Sequence, residues 1–547
     1  MYANYKWCED YASANPPRPL IQCEYAHAMG NSMGGFAEYW NLVRKYPAFQ
    51  GGCIWDFADQ GLRWPYDPAR GKIYAKNGAG PRQVEAPSWI YVFGGDFNTY
   101  DGSTTAFNNN GLVAPDRVPH PHAEEVRYQY RSILCAATPE QLAKGAVSVH
   151  NENFFIDLGR YRLDWQLVVD GVPAGKGSLP MPPVAPQATQ EINLGYRLPE
   201  TAGHDVSLFL DFVLLRDDGI LAEGSTVARD QIAVSRELAC APTPIPGDSG
   251  LSLSESEEAL TVAGETWSAA WDKATGALCS YCVRGNELIA EPLYPCFGRA
   301  LTENDRASGR ISKKMGKVWL YPEFKPAAVA AVRNDNDVTV SVQYPLEYAT
   351  VGMTYTVKAG GVITVSLDFK PAEGIEKIPD LFRVGVEFAM PGEYSTVAFY
   401  GEGPFDTYAD RRTAARLGTY VQDVCEKYDF SAARPQEHGH NTGLRSYKLL
   451  DAAAHGLEIT SPAQFGASAL PFSRQTMDLS RGEWRHSREL IPLMHQDDRQ
   501  LGRTCVICDL VQMGLGCVNT WGANPREEYL VHPKDYRFTF TLSPVMN

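Results

Sequence analysis

The stretch PLIQCEYAHAMGNSMGGFAEYWNLVRKYPAFQGGCIWDF, residues Pro19 to Phe57, decides the fold at the start of the chain. Pro19 to Cys23 is a short apolar run that reads as a strand. Gly35 to Tyr46 carries apolar groups at Phe36, Tyr39, Trp40 and Val43, close to the i, i+3, i+4, i+7 spacing of an amphipathic helix. Gly51 to Phe57 reads as a second, buried strand. Strand, helix and strand within about 40 residues make a βαβ unit. In parallel α/β barrels the chemistry sits at the C-terminal ends of the strands. Glu24, with Tyr25 and His27 beside it, and Trp55-Asp56 would then face one mouth. A carboxylate held there by hydrogen bonds suits a nucleophile. The alternatives are a helix-capping Glu24, a satisfied loop His27, and an ordinary strand Trp55 with an Asp56 cap.

Working outward, residues 1–133 read as α/β, with a Gly/Pro-rich excursion from Trp64 to Ser88 and a helix from Ala123 to Tyr130. From 134 to 240 the texture is that of strands. Tyr161 to Val169 alternates and ends on the hairpin dipeptide Asp170-Gly171, and Asp205 to Leu215 alternates again. About 100 residues of this kind fit one β-sandwich. Ala241 to Gly250 (APTPIPGDSG) is a Pro/Gly-rich linker. Residues 251–547 carry hairpin signals throughout, with clear strands at Asp337 to Tyr344 and Val362 to Phe369, and read as a large two-sheet β domain.

The chain has 547 residues, a soft prior for three or four domains. Its 50 Lys+Arg against 65 Asp+Glu give a net charge of −15. That balance argues against a nucleic-acid partner, whose phosphates need a basic footprint, and against an anionic membrane surface. No run of about 18 apolar residues predicts a membrane span. The opening MYANYKWCEDY has no apolar core of a signal peptide. Twelve cysteines are too sparse for a disulfide scaffold. The pairs Cys279/Cys282 and Cys505/Cys508 would both be needed for a four-cysteine zinc site. On strands, residues three apart point to opposite faces, so packing is the expectation for them. Aromatics at 11% suit either sugar-stacking surfaces or large cores. Gly94-Gly95-Asp96-Phe97 and Phe107-Asn108-Asn109-Asn110-Gly111 are loops rich in oxygen donors, which hard cations favour and which an Asn-Gly turn also explains.

The run R-P-L-I-Q-C-E-Y-A-H-A-M-G-N-S (18–32) followed by G-G-x-I-W-D-F-x-D-Q (51–60) strongly resembles the large β-galactosidases of glycoside hydrolase family 2. Further matches follow in order: G-G-D-F (94–97), F-x-x-N-G-L-V (107–113), D-R-x-P-H-P (116–121), F-x-R-A-x-T-x-N-D (297–305), G-E-G-P-x-x-x-Y-x-D-R (401–411), R-P-Q-E-H-G (434–439) and M-G-L-G-x-x-x-T-W-G (513–522). The resemblance covers essentially the whole chain. It implies the C-terminal part of a TIM (β/α)8 barrel over 1–133, an immunoglobulin-like β-sandwich over 134–240, a linker over 241–250, and a large galactose-mutarotase-like β-sandwich over 251–547.

The resemblance implies that Glu24 is the catalytic nucleophile at the end of the seventh barrel strand. It makes Tyr25 and His27 contacts of the galactosyl ring and Trp55 the aromatic wall at the eighth strand. The Phe107 carbonyl and the Asn110 side chain become ligands of a sodium ion that seats the sugar. Trp521 becomes an aromatic platform reaching in from the last domain. Asp56 and Asp96 are nearby carboxylates that the family does not use as the acid. Two departures stand out. The family's G-G-D-x-S-W before that Trp is here Gly516-Cys517-Val518-Asn519-Thr520-Trp521. The family's jelly-roll, first sandwich and first six barrel strands have no match, and with them the acid/base Glu and most ligands of the magnesium ion. The opening Met-Tyr also resembles an internal Met-Tyr of relatives.

The expectation is therefore a C-terminal portion of a retaining β-galactosidase, nearly inactive by itself, acting on lactose-like substrates once complete. Its partner is a β-galactoside, with a homo-oligomer or a missing N-terminal half completing the site. The rival readings are a non-catalytic carbohydrate-binding β-sandwich protein and one half of a split two-chain enzyme. The cytoplasm is favoured as compartment, with the periplasm open if the true N-terminus lies upstream.

Overall fold

A computed structural model describes residues 1–65, 89–93, 105–238, 241–307, 316–428, 434–471, 473–477 and 502–546. The Gly94–Phe97 motif, with Asp96, and most of the Trp64 to Ser88 excursion lie outside the described residues.

The opening segment builds helix α1 (Tyr5–Ser13), strand β1 (Leu20–Tyr25), helix α2 (Phe36–Lys45) and strand β2 (Phe49–Ile54). Helix α1 was not anticipated from the sequence; the Asn4 side chain caps it by accepting from the Trp7 backbone amide at 2.9 Å. Strands β1 and β2 pair in parallel with Leu20 opposite Phe49, Gln22 opposite Gly52 and Tyr25 opposite Ile54. The second strand begins and ends about two residues earlier than its apolar pattern suggested. Phe49 is drawn in because it is buried with Leu20 beneath the helices. Beyond Ile54 the backbone leaves the ladder, and the Asp56 amide donates to the Asn110 carbonyl at 2.7 Å instead.

Register decides which face each residue takes. Leu20, Gln22 and Tyr25 are buried on the helix side. Ile21 and Cys23 alternate to the other face, where Ile21 remains 59% exposed. One residue is inserted on β1 between Gln22 and Tyr25 relative to β2. This irregularity turns Tyr25 back to the helices and leaves Cys23 and Glu24 on the open side. Cys53 on β2 is likewise exposed.

Two short strands follow, β3 (Leu62–Pro65) and β4 (Trp89–Val92), paired antiparallel. Helix α3 (Ala123–Gln129) closes this part of the chain. Next comes an immunoglobulin-like sandwich. A four-stranded sheet and a three-stranded sheet enclose one core that includes Leu163, Val206, Leu208 and Phe212. Asp170 and Gly171 both have positive φ, 50° and 78°, which makes their turn the tight hairpin that the dipeptide predicts. Residues 241–250 are irregular, yet Ile245 is buried in the neighbouring core and its amide donates to the Gly360 carbonyl at 2.8 Å. Among the described residues the rest is one hydrogen-bonded system of seventeen strands from Ser252 to Val545, folded around a large core.

The barrel segment is clamped to this large domain. Asn31, in the loop between β1 and α2, donates to the Tyr408 hydroxyl at 2.9 Å and to the Glu437 carbonyl. Its amide accepts from Arg411 at 2.8 Å, and its backbone amide donates to Gln436 at 2.9 Å. The Gly34 amide donates to the Gly516 carbonyl and the Gly35 amide to the Asp410 carbonyl. A Cβ on Gly34 would stand 2.1 Å from the Asp410 carboxylate, so only glycine fits that approach. The 401–411, 434–439 and 513–522 motifs thus hold the loop that follows Glu24.

Candidate active site

Glu24 is the penultimate residue of β1, half-buried. The Tyr2 amide donates to the Glu24 carbonyl at 2.8 Å, and the Tyr2 hydroxyl hydrogen-bonds the Glu24 side chain. Burial, then that bond and the neighbouring charges of Glu24 and Asp56, hold the Tyr2 phenol above its ordinary range, so it stays a donor. Sequence reasoning noticed the opening Met-Tyr only as a resemblance. Its contact with Glu24 depends on the 21 intervening residues folding back.

Around Tyr2 stands a cluster of rings. Trp521 meets Tyr2 edge-on at 4.6 Å between centroids and His27 edge-on at 5.2 Å. Phe107 lies 5.3 Å from His27 and 6.3 Å from Trp521. Trp521 itself is 48% exposed. The departure before it has a structural account. Cys517 and Val518 are buried in the core of the barrel segment, and Asn519 caps the turn by accepting from the Trp521 and Ala523 amides, each at 3.1 Å. The loop therefore reaches the site by apolar anchoring.

Trp55 follows β2, partly exposed. Its amide donates to the Tyr25 carbonyl at 3.2 Å and its carbonyl accepts from Ala28 at 2.9 Å, which ties the two strand ends together. Asp56 is spent on its own turn, accepting from the Ala58 amide and the Gln60 side chain. Tyr25 is not brought to the ring cluster. It is fully buried, its hydroxyl 2.9 Å from the Tyr130 hydroxyl and within reach of the Trp40 indole N–H. The inserted residue on β1 is the reason.

The loop 107–113 is zipped to the turn after β2. Gln60 donates to the Asn108 carbonyl, and Leu112 to the Asp56 carbonyl. Asp59 accepts from the Gly111 amide at 2.8 Å and meets His120 at 3.0 Å. This places Asn110 Nδ2 3.0 Å from the Phe107 carbonyl and 3.4 Å from His27 Nε2. Asn110 Oδ1 is buried without a hydrogen-bond partner among the described residues. A buried orphan acceptor next to a backbone carbonyl fits a hard cation, which takes neutral oxygen ligands. Burial pushes His27 down to about 4, so the ring is neutral near pH 7.

A strand-end carboxylate thus stands beside Tyr2, whose ring joins a cluster with Trp521, His27 and Phe107. The family model described as glycosyl hydrolases family 2, TIM barrel domain, matches residues 1–135. That described as β-galactosidase, domain 4, matches 147–235, and that described as β-galactosidase small chain matches 263–542. A β-galactosidase of Halalkalibacterium halodurans is 31% identical over 100% of this chain and 50% of its own length. One from Priestia megaterium is 30% identical over 100% of this chain and 49% of its own. A solved galactose 1-epimerase of Lactobacillus acidophilus aligns with 54% of this chain and 98% of its own at 8% identity and a TM-score of 0.28. The chain belongs to the β-galactosidases of glycoside hydrolase family 2. It spans about half the length of the curated relatives it matches.

Proposed function

We propose that this chain carries the nucleophile side of a retaining β-galactosidase site. The observation that carries the reading is Glu24, held by Tyr2 at a strand end within a ring cluster drawn from both ends of the chain. Glu24 attacks the anomeric carbon of a terminal β-galactoside. The carbon–carboxylate bond forms as the glycosidic bond breaks, and the leaving oxygen takes a proton from a general acid. Water then attacks the galactosyl ester, giving its proton to the same group as base. That group must sit about 5–5.5 Å from Glu24. Asp56 is occupied by its turn, so the acid is assigned to residues outside this sequence, with the remaining six strands of the barrel. Tyr2 holds Glu24 in place through its backbone amide and hydroxyl. Trp55 and Trp521 present faces to the ring.

The Phe107 carbonyl and Asn110 Oδ1 would hold a sodium ion, whose charge would seat a sugar hydroxyl next to His27. Magnesium, implied by the resemblance, would take most of its ligands from outside this sequence.

The open face of β1 and β2 supports docking of a polypeptide that supplies those six strands, since a barrel closes only when every strand edge is paired. Cys23 and Cys53 lie on that face and report on it. Both should react rapidly with a maleimide in the isolated chain. Both should be protected once a relative's front half, covering its barrel start, is added. Unchanged alkylation of the mixture would exclude this docking mode. In the assembled enzyme a fluorinated galactosyl trap should label Glu24; a label on Asp56 or Asp96 would overturn the assignment.

Trp521 stacks on a sugar face without reading hydroxyls, so it binds substrate and transition state nearly equally. Trp521→Ala in the assembled enzyme should raise KM by ~1–3 kcal/mol in binding terms, the range for a ring stacked on an aromatic, with kcat little changed. An unchanged KM for lactose would remove Trp521 from the site.

A further inference from the structure

The loop that carries Trp521 is fixed at its root from outside. The Leu515 and Gly516 amides each donate to the Asp410 carboxylate at 2.9 Å. The carbonyls of the same two residues accept from Asn304 Nδ2, at 2.9 and 3.2 Å, and the Gly516 carbonyl also accepts from the Gly34 amide at 3.0 Å. Gly516 has a φ of +77°, the left-handed region that glycine enters without strain, and there the chain turns into the loop. Cys517 and Val518 are then buried in the barrel segment, and the Thr520 hydroxyl donates to Asn304 Oδ1 at 2.8 Å. The tip has far less to hold it. Trp521 and Gly522 are both exposed, and open space surrounds the point where a Cβ on Gly522 would stand. The indole meets Tyr2 and His27 edge-on and Phe107 at a tilt. What joins tip to root is one side-chain oxygen. Asn519 Oδ1 accepts from the Trp521 amide and from the Ala523 amide, each at 3.1 Å. Its neighbours offer no substitute, because Val518 is apolar and Thr520 is turned to Asn304.

We infer that Asn519 is a positioning residue for the sugar-stacking face of the site: its side-chain oxygen holds the Trp521 indole where the substrate meets it. That Trp521 stacks on the sugar is the reading given above, on which this role rests; the hold on the indole does not depend on it. Each of the two bonds shifts a local equilibrium by roughly two- to tenfold. Without them the root stays fixed by Asp410 and Asn304, while the tip spends part of its time away from Tyr2 and His27. A site whose binding-competent form is only partly populated loses apparent affinity by that fraction. The loss cannot exceed that of removing the indole. Stacking binds substrate and transition state nearly equally, so the loss falls on KM and spares kcat.

The test begins on the full chain labelled with 5-fluorotryptophan, the Trp521 19F resonance being assigned by its loss in Trp521→Phe. In the wild type the neighbouring rings should displace that resonance from the position of the free amino acid. Asn519→Ala should move it toward that position. Asn519→Asp, whose carboxylate still accepts from both amides, should keep it in place. A resonance that stays put in Asn519→Ala, or one already at the free position in the wild type, overturns the inference. Should Asn519→Ala fail to fold, Asn519→Leu, close in shape and without an acceptor, is read in the same way. The second arm is a double-mutant cycle in the assembled enzyme. Asn519→Ala should raise KM for lactose about fivefold with kcat little changed, and should add nothing in the Trp521→Ala background. The same rise in KM with and without the indole means that Asn519 acts elsewhere and overturns the inference. An unchanged KM in Trp521→Ala removes the stacking reading and the substrate's part of the inference, while the 19F result still decides whether Asn519 holds the indole.

Discussion

Glu24→Gln should lower kcat of the assembled enzyme by at least ~10⁴-fold, because removing a covalent nucleophile removes the step that every later event depends on. Gln keeps the shape and an acceptor oxygen for the Tyr2 hydroxyl, so the local fold should survive and the melting temperature should move little. KM should change far less than kcat, since the ring cluster that binds the sugar is untouched. Steady-state kinetics on an aryl β-galactoside, with a thermal melt as control, checks all three. Retention of even a tenth of the wild-type kcat would mean that Glu24 forms no bond to the sugar.

The isolated chain should hydrolyse a β-galactoside no faster than buffer, and turnover should appear when a relative's front half is added. General-acid catalysis contributes ~10²–10⁴-fold by itself, and the second half also completes the sugar's binding site. Leaving group should separate these contributions. A dinitrophenyl leaving group departs without a proton, whereas the sugar alkoxide released from lactose needs one. The gain on mixing should therefore be larger for lactose than for the dinitrophenyl galactoside. Turnover of lactose by the isolated chain, abolished by Glu24→Gln, would show that an acid is present within these 547 residues and would force its reassignment.

The parallel pair, the α2 helix and the sandwich hairpins were legible because their signals are local. Phe36 and Tyr39 recur at helical spacing, and both are buried on α2. Tyr161–Val169 is a strand with the predicted limits. Helix α1 was missed because its sequence, YKWCEDYAS, carries little apolar periodicity; it is set by the Asn4 cap and by Cys8 and Ala12 packing onto the barrel segment. In the candidate site, Glu24, His27, Trp55, Phe107, Asn110 and Trp521 were named from their motifs. Tyr2 as the partner of Glu24, and Asn304 and Thr520 behind His27, were not, since each meets a residue far away along the chain.

By itself the sequence determined the βαβ unit, the sandwich hairpins, the order of the three architectures and the family, because periodicity, turn chemistry and collinear motifs are properties of neighbouring residues. Only the tertiary structure decided which of the motif residues meet. Alternation from Leu20 and Gln22 would put Glu24 on the helix side, yet one inserted residue in the β1–β2 register gives that side to Tyr25 and turns Glu24 to the open face. Trp521 and Tyr2 lie at opposite ends of the chain, yet their rings are 4.6 Å apart because Asn31, Gly34 and Arg411 clamp the two domains together. Side-chain direction depends on strand register, and contact between distant segments depends on how buried polar groups are satisfied across a domain boundary; neither is encoded in any short window of residues.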